Sequence, residues 1–176
     1  MARSDFIAAM QRRTASIAVG ASTVRGIAPA GTVARARAHL ADLDLTIFHQ
    51  PTERRFRAVL DRETLKLQHT LPRGGRYWGL ARKLLNIFLR DAFYNKYLAQ
   101  QYTLNSVESW LEVPLDSHVG NRLRSECPDY ALPRWKTIKA LTPELSAEFQ
   151  SAARVIAPDR EIAPVHLDLY FWRDQR

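Results

Sequence analysis

The chain has 176 residues, a net charge of +8 and a pI of about 10.1. This length suits one domain with a sizeable core, and 46% hydrophobic residues is ordinary for a globular protein. Residues 1–100 carry 17 Lys/Arg against 7 Asp/Glu, a net charge of +10, whereas residues 101–176 carry 9 against 11, a net charge of −2. This asymmetry predicts one basic face for a polyanionic partner; the alternative is a solvated, Arg-rich surface.

Composition also excludes several classes of protein. Cys127 is the single cysteine, so the chain can form neither an internal disulfide framework nor an iron–sulfur cluster held by four cysteines. A reducing, cytoplasmic location is therefore expected. Because no apolar run approaches the roughly 20 residues needed to span a bilayer, no membrane partner is expected. The Ala-, Ser- and Arg-rich N-terminus could also belong to a targeting peptide, but helical spacing over residues 5–19 favours a structural helix.

Apolar residues recur at helical spacing through most of the chain, and strand-like alternation is weak. Helices are predicted at residues 5–19, 32–40, 56–68, 78 to about 100, 105–111, from 115 onward, 142–157 and after 164. Residues 20–31, with three glycines and a proline, are predicted to form a loop, and Thr32 is a candidate N-cap. Thr142 followed by Pro143 is a strong helix start. The pattern predicts an all-α protein of about eight helices.

The most informative stretch is Val113-Pro114-Leu115-Asp116-Ser117-His118-Val119. Val113 before Pro114 ends the preceding helix, and Asp116 stands at the start of the next one. Backbone N–H groups and the helix dipole stabilise a negative charge there. An ionised carboxylate at this position could stabilise an oxocarbenium-like sugar or deprotonate a nucleophile. The simpler alternative is an N-capping aspartate without a chemical role.

This stretch resembles the segment that bears the catalytic aspartate in helix-hairpin-helix DNA glycosylases. Upstream, the segment from Gly79 to Arg90 resembles the lysine-bearing helix of the branch that includes archaeal 8-oxoguanine DNA glycosylases. Lys83 precedes Asp116 by 33 residues, a wide separation that is similar to that branch. Residues 166–172 resemble its terminal helix, in which an aspartate and a tryptophan four residues later hold the flipped base.

The resemblance implies a compact helical glycosylase fold with two helical lobes around a cleft, all within a single domain over residues 1–176. The lobes implied are residues 1–70 packed with the C-terminal helix, and residues 71–160. Lys83 would attack C1′ of the sugar and form a Schiff base, while Asp116 would stabilise the developing positive charge. A lysine nucleophile also implies AP lyase activity. This chemistry requires neither a metal nor an organic cofactor.

The resemblance and the charge pattern together yield a set of candidate site residues. Candidates for the base pocket are Asp168, Trp172, His166 and Trp78. Candidates for DNA binding are Arg73, Gly74, Gly75, Arg76, Arg82, Ser117, His118 and Arg122. The usual G-x-G hairpin is missing, and Arg73-Gly74-Gly75-Arg76 is a degenerate substitute whose backbone N–H groups could bind phosphate. Lys96, 20 residues before Asp116, is the alternative nucleophile, but no hairpin precedes it.

The expected partner is double-stranded DNA with one base flipped out, bound by a monomer. The excised base stays open between an oxidised purine such as 8-oxoguanine and a modified base of phage DNA, removed as a defence. A monofunctional enzyme is expected if Lys83 points away from the sugar. Two readings without catalysis remain: a helical module that binds the DNA backbone, and a structural helical protein with no affinity for nucleic acid.

Overall fold

The computed structural model describes residues 2–173, and within that range the chain is helical and has no β-strand. The predicted all-α class is confirmed. The α-helices in this range are α1 (Arg3–Ala18), α2 (Ala21–Val24), α3 (Thr32–Ala41), α4 (Glu53–Thr70), α5 (Trp78–Tyr94), α6 (Lys96–Gln101), α7 (Ser117–Glu126), α8 (Pro143–Ile156) and α9 (Leu167–Arg173). Short 3-10 helices lie in the connections between them. No helix in the described range is both long and apolar enough to cross a membrane.

The structure corrects several predicted helix boundaries. The predicted helix at 78–100 is two helices, because the backbone of Asn95 is extended and breaks the helix. The side-chain oxygen of Asn95 then caps α6 by accepting hydrogen bonds from the N–H groups of Tyr97 and Leu98. Thr32 is the first residue of α3 rather than its N-cap, and Gly31 takes the cap position with a φ of 84°. The predicted loop 20–31 contains α2, and the predicted helix at 105–111 is a 3-10 helix, Leu104–Trp110.

Buried apolar residues form two clusters that divide the chain after Leu111, except that Val165, just before α9, belongs to the first cluster. The first cluster is built from α1 and α3–α6, and the second from α7–α9 with the segment before α8. This division differs from the expected lobes, because α5 packs against α1 and α4 and therefore belongs with the N-terminal helices. The C-terminal helix was expected to pack with residues 1–70, but its Leu167 and Phe171 are buried in the second cluster.

Residues 132–141, here called the strap, connect α7 to α8 and carry no α-helix. Every third residue of the strap is buried, and the residues between them are exposed. The buried residues are Leu132, Trp135, Ile138 and Leu141. The strap therefore packs along its whole length on the second cluster.

Two glycines allow the strap to lie close to the helices beneath it. A Cβ atom on Gly79 of α5 would lie 2.3 Å from the carbonyl oxygen of Ile138, and one on Gly120 of α7 would lie 2.4 Å from a ring carbon of Trp135. No side chain fits at either position. The strap thus crosses α5 and α7 where their backbones are bare, and it joins the two clusters at these crossings.

Candidate catalytic site

The structure brings Lys83 and Asp116 together at the junction of the two clusters. The Nζ atom of Lys83, on α5, lies 3.4 Å from the Oδ2 atom of Asp116, which directly precedes α7. The two side chains are 13% and 28% exposed, so both are partly shielded while remaining accessible to a substrate. Thirty-three residues separate them in the chain, and the fold alone makes them neighbours.

The position of Asp116 at the N-cap of α7 orients its carboxylate. Its Oδ1 atom accepts hydrogen bonds of 3.0 Å from the N–H groups of both His118 and Val119. These two bonds cap the helix and fix the orientation of the carboxylate. Since Oδ1 is occupied, Oδ2 is the atom that faces Lys83 and is able to accept a proton or stabilise a cation.

A cavity of about 440 Å³ opens beside this pair. Its volume falls within the range of roughly 300–1,000 Å³ that is typical of ligand pockets. Lys83, Asp116 and Ser117 form one side, and the strap forms another. The remaining wall comes from Gly26 and Ile27, in the loop after α2. Both clusters thus contribute to the cavity.

Buried polar contacts hold the segment that leads into Asp116. Gln150 of α8 donates to the carbonyl of Val113 at 2.8 Å and accepts from its N–H at 3.1 Å. Glu112 receives two hydrogen bonds from Arg82, at 2.8 and 2.9 Å, and one from Asn86 at 3.0 Å. Burial would raise the pKa of Glu112, but the charge and hydrogen bonds of Arg82 hold that pKa below its usual value. Asp116 therefore follows a segment tied to both α5 and α8.

A second charged pair lies further along α5. Arg90 follows Lys83 by seven residues, which returns it to nearly the same helix face, roughly 20° away. It forms ion pairs with Asp168 of α9 and with its neighbour Asp91. Asp168 is only 5% exposed, and burial raises its pKa against the opposing charge of Arg90. The negative charge of Asp116 raises it further, which places Asp168 within electrostatic reach of the Lys83–Asp116 pair.

Trp172 lies at the outer edge of this region. Its indole is 54% exposed, and its ring centroid is 5.2 Å from that of His118 in the first turn of α7. His118 in turn contacts the carbonyl of Phe171 through Nε2 at 3.2 Å. Of the two predicted base-pocket residues of α9, Trp172 therefore lies at the first turn of α7 and is open to a ligand, whereas Asp168 is buried against Arg90 of α5.

Two other predicted base-pocket residues are engaged elsewhere. His166 lies in the 3-10 turn before α9, with Nδ1 2.8 Å from the Tyr94 hydroxyl and Nε2 2.9 Å from a Glu108 oxygen. Trp78 packs under the guanidinium of Arg82 at 5.3 Å and lines a separate cavity of about 120 Å³. The expectation that they line one pocket with Lys83 does not match these contacts.

The turn between α4 and α5 differs from the expected phosphate-binding hairpin. The N–H groups of Gly75, Arg76 and Tyr77 all donate to carbonyls within the turn. Gly75 is buried, and a Cβ there would lie 3.1 Å from the Cβ of Ala28. The side chains of Arg73 and Arg76 and the backbone of Gly74 are exposed. Contact with phosphate through this turn would therefore depend mainly on the two arginines.

The remaining predicted DNA contacts divide in the same way. Ser117 is exposed and lines the cavity. The prediction that Arg82 contacts DNA is wrong, because Arg82 is 5% exposed and its donors bind Glu112, Asp61 and Thr64. Arg122 is half-buried against the Phe171 ring and forms an ion pair of 3.0 Å with Glu126. His118 packs against α9, as described above.

Lys96 does not reach the carboxylate. It is exposed at the first position of α6, and its ammonium lies 5.0 Å from the centroid of the Tyr97 ring. Of the two candidate nucleophiles, the structure pairs Lys83 with Asp116.

Sequence reasoning missed several residues that shape the site. Arg90 could have been found from its seven-residue spacing to Lys83. Gly79 lies four residues before Lys83 and Gly120 four residues after Asp116, but nothing in a single sequence indicates which part of the chain approaches them. In the strap, an apolar residue recurs at every third position. This spacing is typical of neither an α-helix nor a β-strand, so it could have indicated a buried, irregular segment.

Within residues 2–173, no group of three or more His, Cys, Asp or Glu side chains is arranged to hold a metal ion. Comparisons with protein-family models, with curated proteins and with solved structures gave no match to this chain.

Proposed function

We propose that this protein is a DNA glycosylase that excises a damaged or modified base and then acts as an AP lyase. The observation that carries the proposal is the 3.4 Å approach of Lys83 Nζ to Asp116 Oδ2 at the wall of a ligand-sized cavity. A primary amine beside an oriented carboxylate is the minimum set of groups for lysine-based nucleophilic catalysis.

In the proposed reaction, the amine of Lys83 attacks C1′ of a flipped nucleotide while the N-glycosidic bond breaks. The base departs with the bonding electron pair and takes up a proton. Asp116 stabilises the positive charge that develops on the sugar and accepts the proton released by the amine. The C1′–O4′ bond then breaks, O4′ takes the proton that Asp116 had accepted, and a protonated Schiff base forms between Nζ and C1′. Loss of a C2′ proton and departure of the 3′ phosphate would cut the strand.

The base itself is assigned to the region of α9. Trp172 offers an exposed aromatic face on which an extruded base can stack. Arg90 and Asp168, a largely buried ion pair, would supply a donor and an acceptor to the edge of that base. Because the two residues are paired with each other, a base that binds there must exchange hydrogen bonds with them. This arrangement favours a base whose edge carries both a donor and an acceptor.

The test combines a base-release screen with borohydride trapping. Duplexes that carry oxidised, alkylated, deaminated or phage-type modified bases are incubated with the protein, and borohydride reduces any Schiff base to a stable amine. We expect one class of base to be released and one covalent adduct to form. Lys83→Ala should abolish the adduct. Lys96→Ala, the control, removes the exposed lysine that was the alternative candidate and should leave the adduct unchanged.

The outcomes separate the competing functions. An undiminished adduct in the Lys83→Ala protein would overturn the assignment of the nucleophile. Release of phage-type bases alone would direct the same chemistry to defence. Salt-dependent DNA binding without base release or trapping would favour the non-catalytic module, which the +10 charge of residues 1–100 supports independently.

A further inference from the structure

Every charged residue on the exposed side of the strap is basic. Six of its ten residues are exposed, and three of those six are cationic, namely Arg134, Lys136 and Lys139. The strap contains no acidic residue, although it lies in the half of the chain with a net charge of −2. Its positive charge therefore stands out from the surrounding sequence.

The strap is anchored firmly enough to fix these charges in place. Trp135 is buried edge-on against Phe149 of α8, with ring centroids 5.5 Å apart. The close approaches at Gly79 and Gly120 hold Ile138 and Trp135 against two different helices. A cation on an anchored backbone loses less conformational entropy when it binds than one on a mobile loop.

Two of the cations also line the catalytic cavity. Lys136 and Lys139 border the same space as Lys83 and Asp116. Neither forms an ion pair with a carboxylate of residues 2–173, and Lys139 lies 5.3 Å from the centroid of the Tyr77 ring. Elsewhere on the surface, exposed Lys66 is held by Glu63 at 2.9 Å. The cations of the cavity are thus available to an anionic ligand.

We propose that the strap binds phosphates of the DNA strand on one side of the flipped nucleotide, with Lys136 and Lys139 as the contacts. This inference rests on the proposed function and adds a binding surface that the sequence resemblance did not indicate. The cations follow an exposed segment, from Arg134 to the cavity mouth, which fits an extended polyanion rather than a single small anion. Because the Lys139 ammonium lies 5.3 Å from the ring centroid of Tyr77, the residue after Arg76, the strap also approaches the basic turn at Arg73 and Arg76.

The experiment compares two double variants with equal loss of charge. Binding to a duplex that contains a tetrahydrofuran abasic-site analogue is followed by fluorescence anisotropy between 50 and 200 mM NaCl, which requires no knowledge of the excised base. Lys136→Gln with Lys139→Gln should lower the slope of log K against log salt by about 1.8, since each phosphate contact contributes roughly 0.9. The control, Lys66→Gln with Lys96→Gln, should keep the wild-type slope.

Two further arms make every result decisive. Lys136→Arg with Lys139→Arg should restore the slope if charge is what matters, and circular dichroism checks that each variant is folded. An unchanged slope in the strap variant, or an equal loss in the control, would overturn the strap proposal.

Borohydride trapping of the wild-type protein on a natural abasic site distinguishes this failure from failure of the enzyme. Trapping together with an unchanged strap slope rejects the strap alone. A reduced strap slope without trapping rejects the Schiff-base chemistry of Lys83 and keeps the DNA-binding surface. The absence of both trapping and salt-dependent binding rejects both.

Discussion

Arg82 and Lys83 are neighbours on α5, yet their side chains lie in opposite environments. The guanidinium of Arg82 is buried and binds Glu112 through two nitrogen atoms, with Asp61 and Thr64 on the third. The ammonium of Lys83 has three donors and makes one long contact, 3.4 Å, with Asp116. One cation is fully satisfied by the protein, and the other is left with capacity for a substrate.

The contrast shows that two adjacent residues of one helix can differ in role, one buried within the protein and the other left accessible to a ligand. Successive residues on a helix point about 100° apart, so adjacent cations face different neighbours. The Arg82 cluster ties α5 to α4 and to the segment at Glu112. Four residues later, that segment delivers Asp116 to Lys83. The buried Arg82–Glu112 pair therefore helps to position the longer Lys83–Asp116 pair, and the next predictions test this relation.

Removing the charge of Asp116 should have the largest effect on activity. Asp116→Asn keeps an oxygen that can cap α7, so the free energy of unfolding should change by less than about 1 kcal/mol. Base release should fall by about 10²–10⁴-fold, because the negative charge at the sugar is lost. Single-turnover kinetics and urea denaturation measure the two effects. A large loss of stability with normal kinetics would show that Asp116 is only a cap.

Breaking the buried Arg82–Glu112 pair should mainly lower stability. Glu112→Ala leaves Arg82 buried without its main partner and should lower the free energy of unfolding by about 3–5 kcal/mol. Urea denaturation measures this, with Glu148→Ala, at an exposed glutamate of α8, as the control. A loss below about 1 kcal/mol would indicate that the cluster supports the site less than its burial suggests.

The strap crossing should show an intermediate effect. Gly120→Ala forces a methyl group against the Trp135 ring and should cost about 1–3 kcal/mol of stability while displacing the strap from the cavity. Gly20→Ala is the matched control, since its nearest neighbour would be the Ser22 hydroxyl at an ordinary 3.6 Å. Thermal unfolding and tryptophan fluorescence report the change. Equal behaviour of the two variants would argue against a tight crossing.

Acid should weaken the Arg82 cluster by the smallest increment. The pKa of Glu112 is lower in the folded protein than its ordinary value of 4.5, so its contribution to stability is complete above that pH and is lost as the pH falls through the folded-state pKa. One proton accounts for a slope of at most about 1.4 kcal/mol per pH unit. Denaturation from pH 6 to pH 3 should be less steep for Glu112→Gln than for the wild type. Identical slopes would contradict the assignment.

Local rules in the sequence were sufficient for most of the helices. Apolar spacing identified the region of α4, and Thr142 followed by Pro143 identified the start of α8, which Thr142 caps through a hydrogen bond from the N–H of Leu145, as predicted. The same rules failed at Asn95, where a capping side chain ends one helix and begins the next. Periodicity could not reveal this break, because the apolar face continues across it.

Residue type and local spacing were enough to predict the all-α class and the helix start at Asp116, whereas the role of Lys83 came from the family resemblance and stays a prediction. Only the tertiary structure decided that Arg82 is a buried support and Lys83 an accessible amine. It also decided that the strap approaches both through Gly79 and Gly120. The physical reason is that burial and partner choice depend on residues distant in the chain. The 33-residue separation of Lys83 and Asp116 therefore becomes a distance of 3.4 Å only after packing.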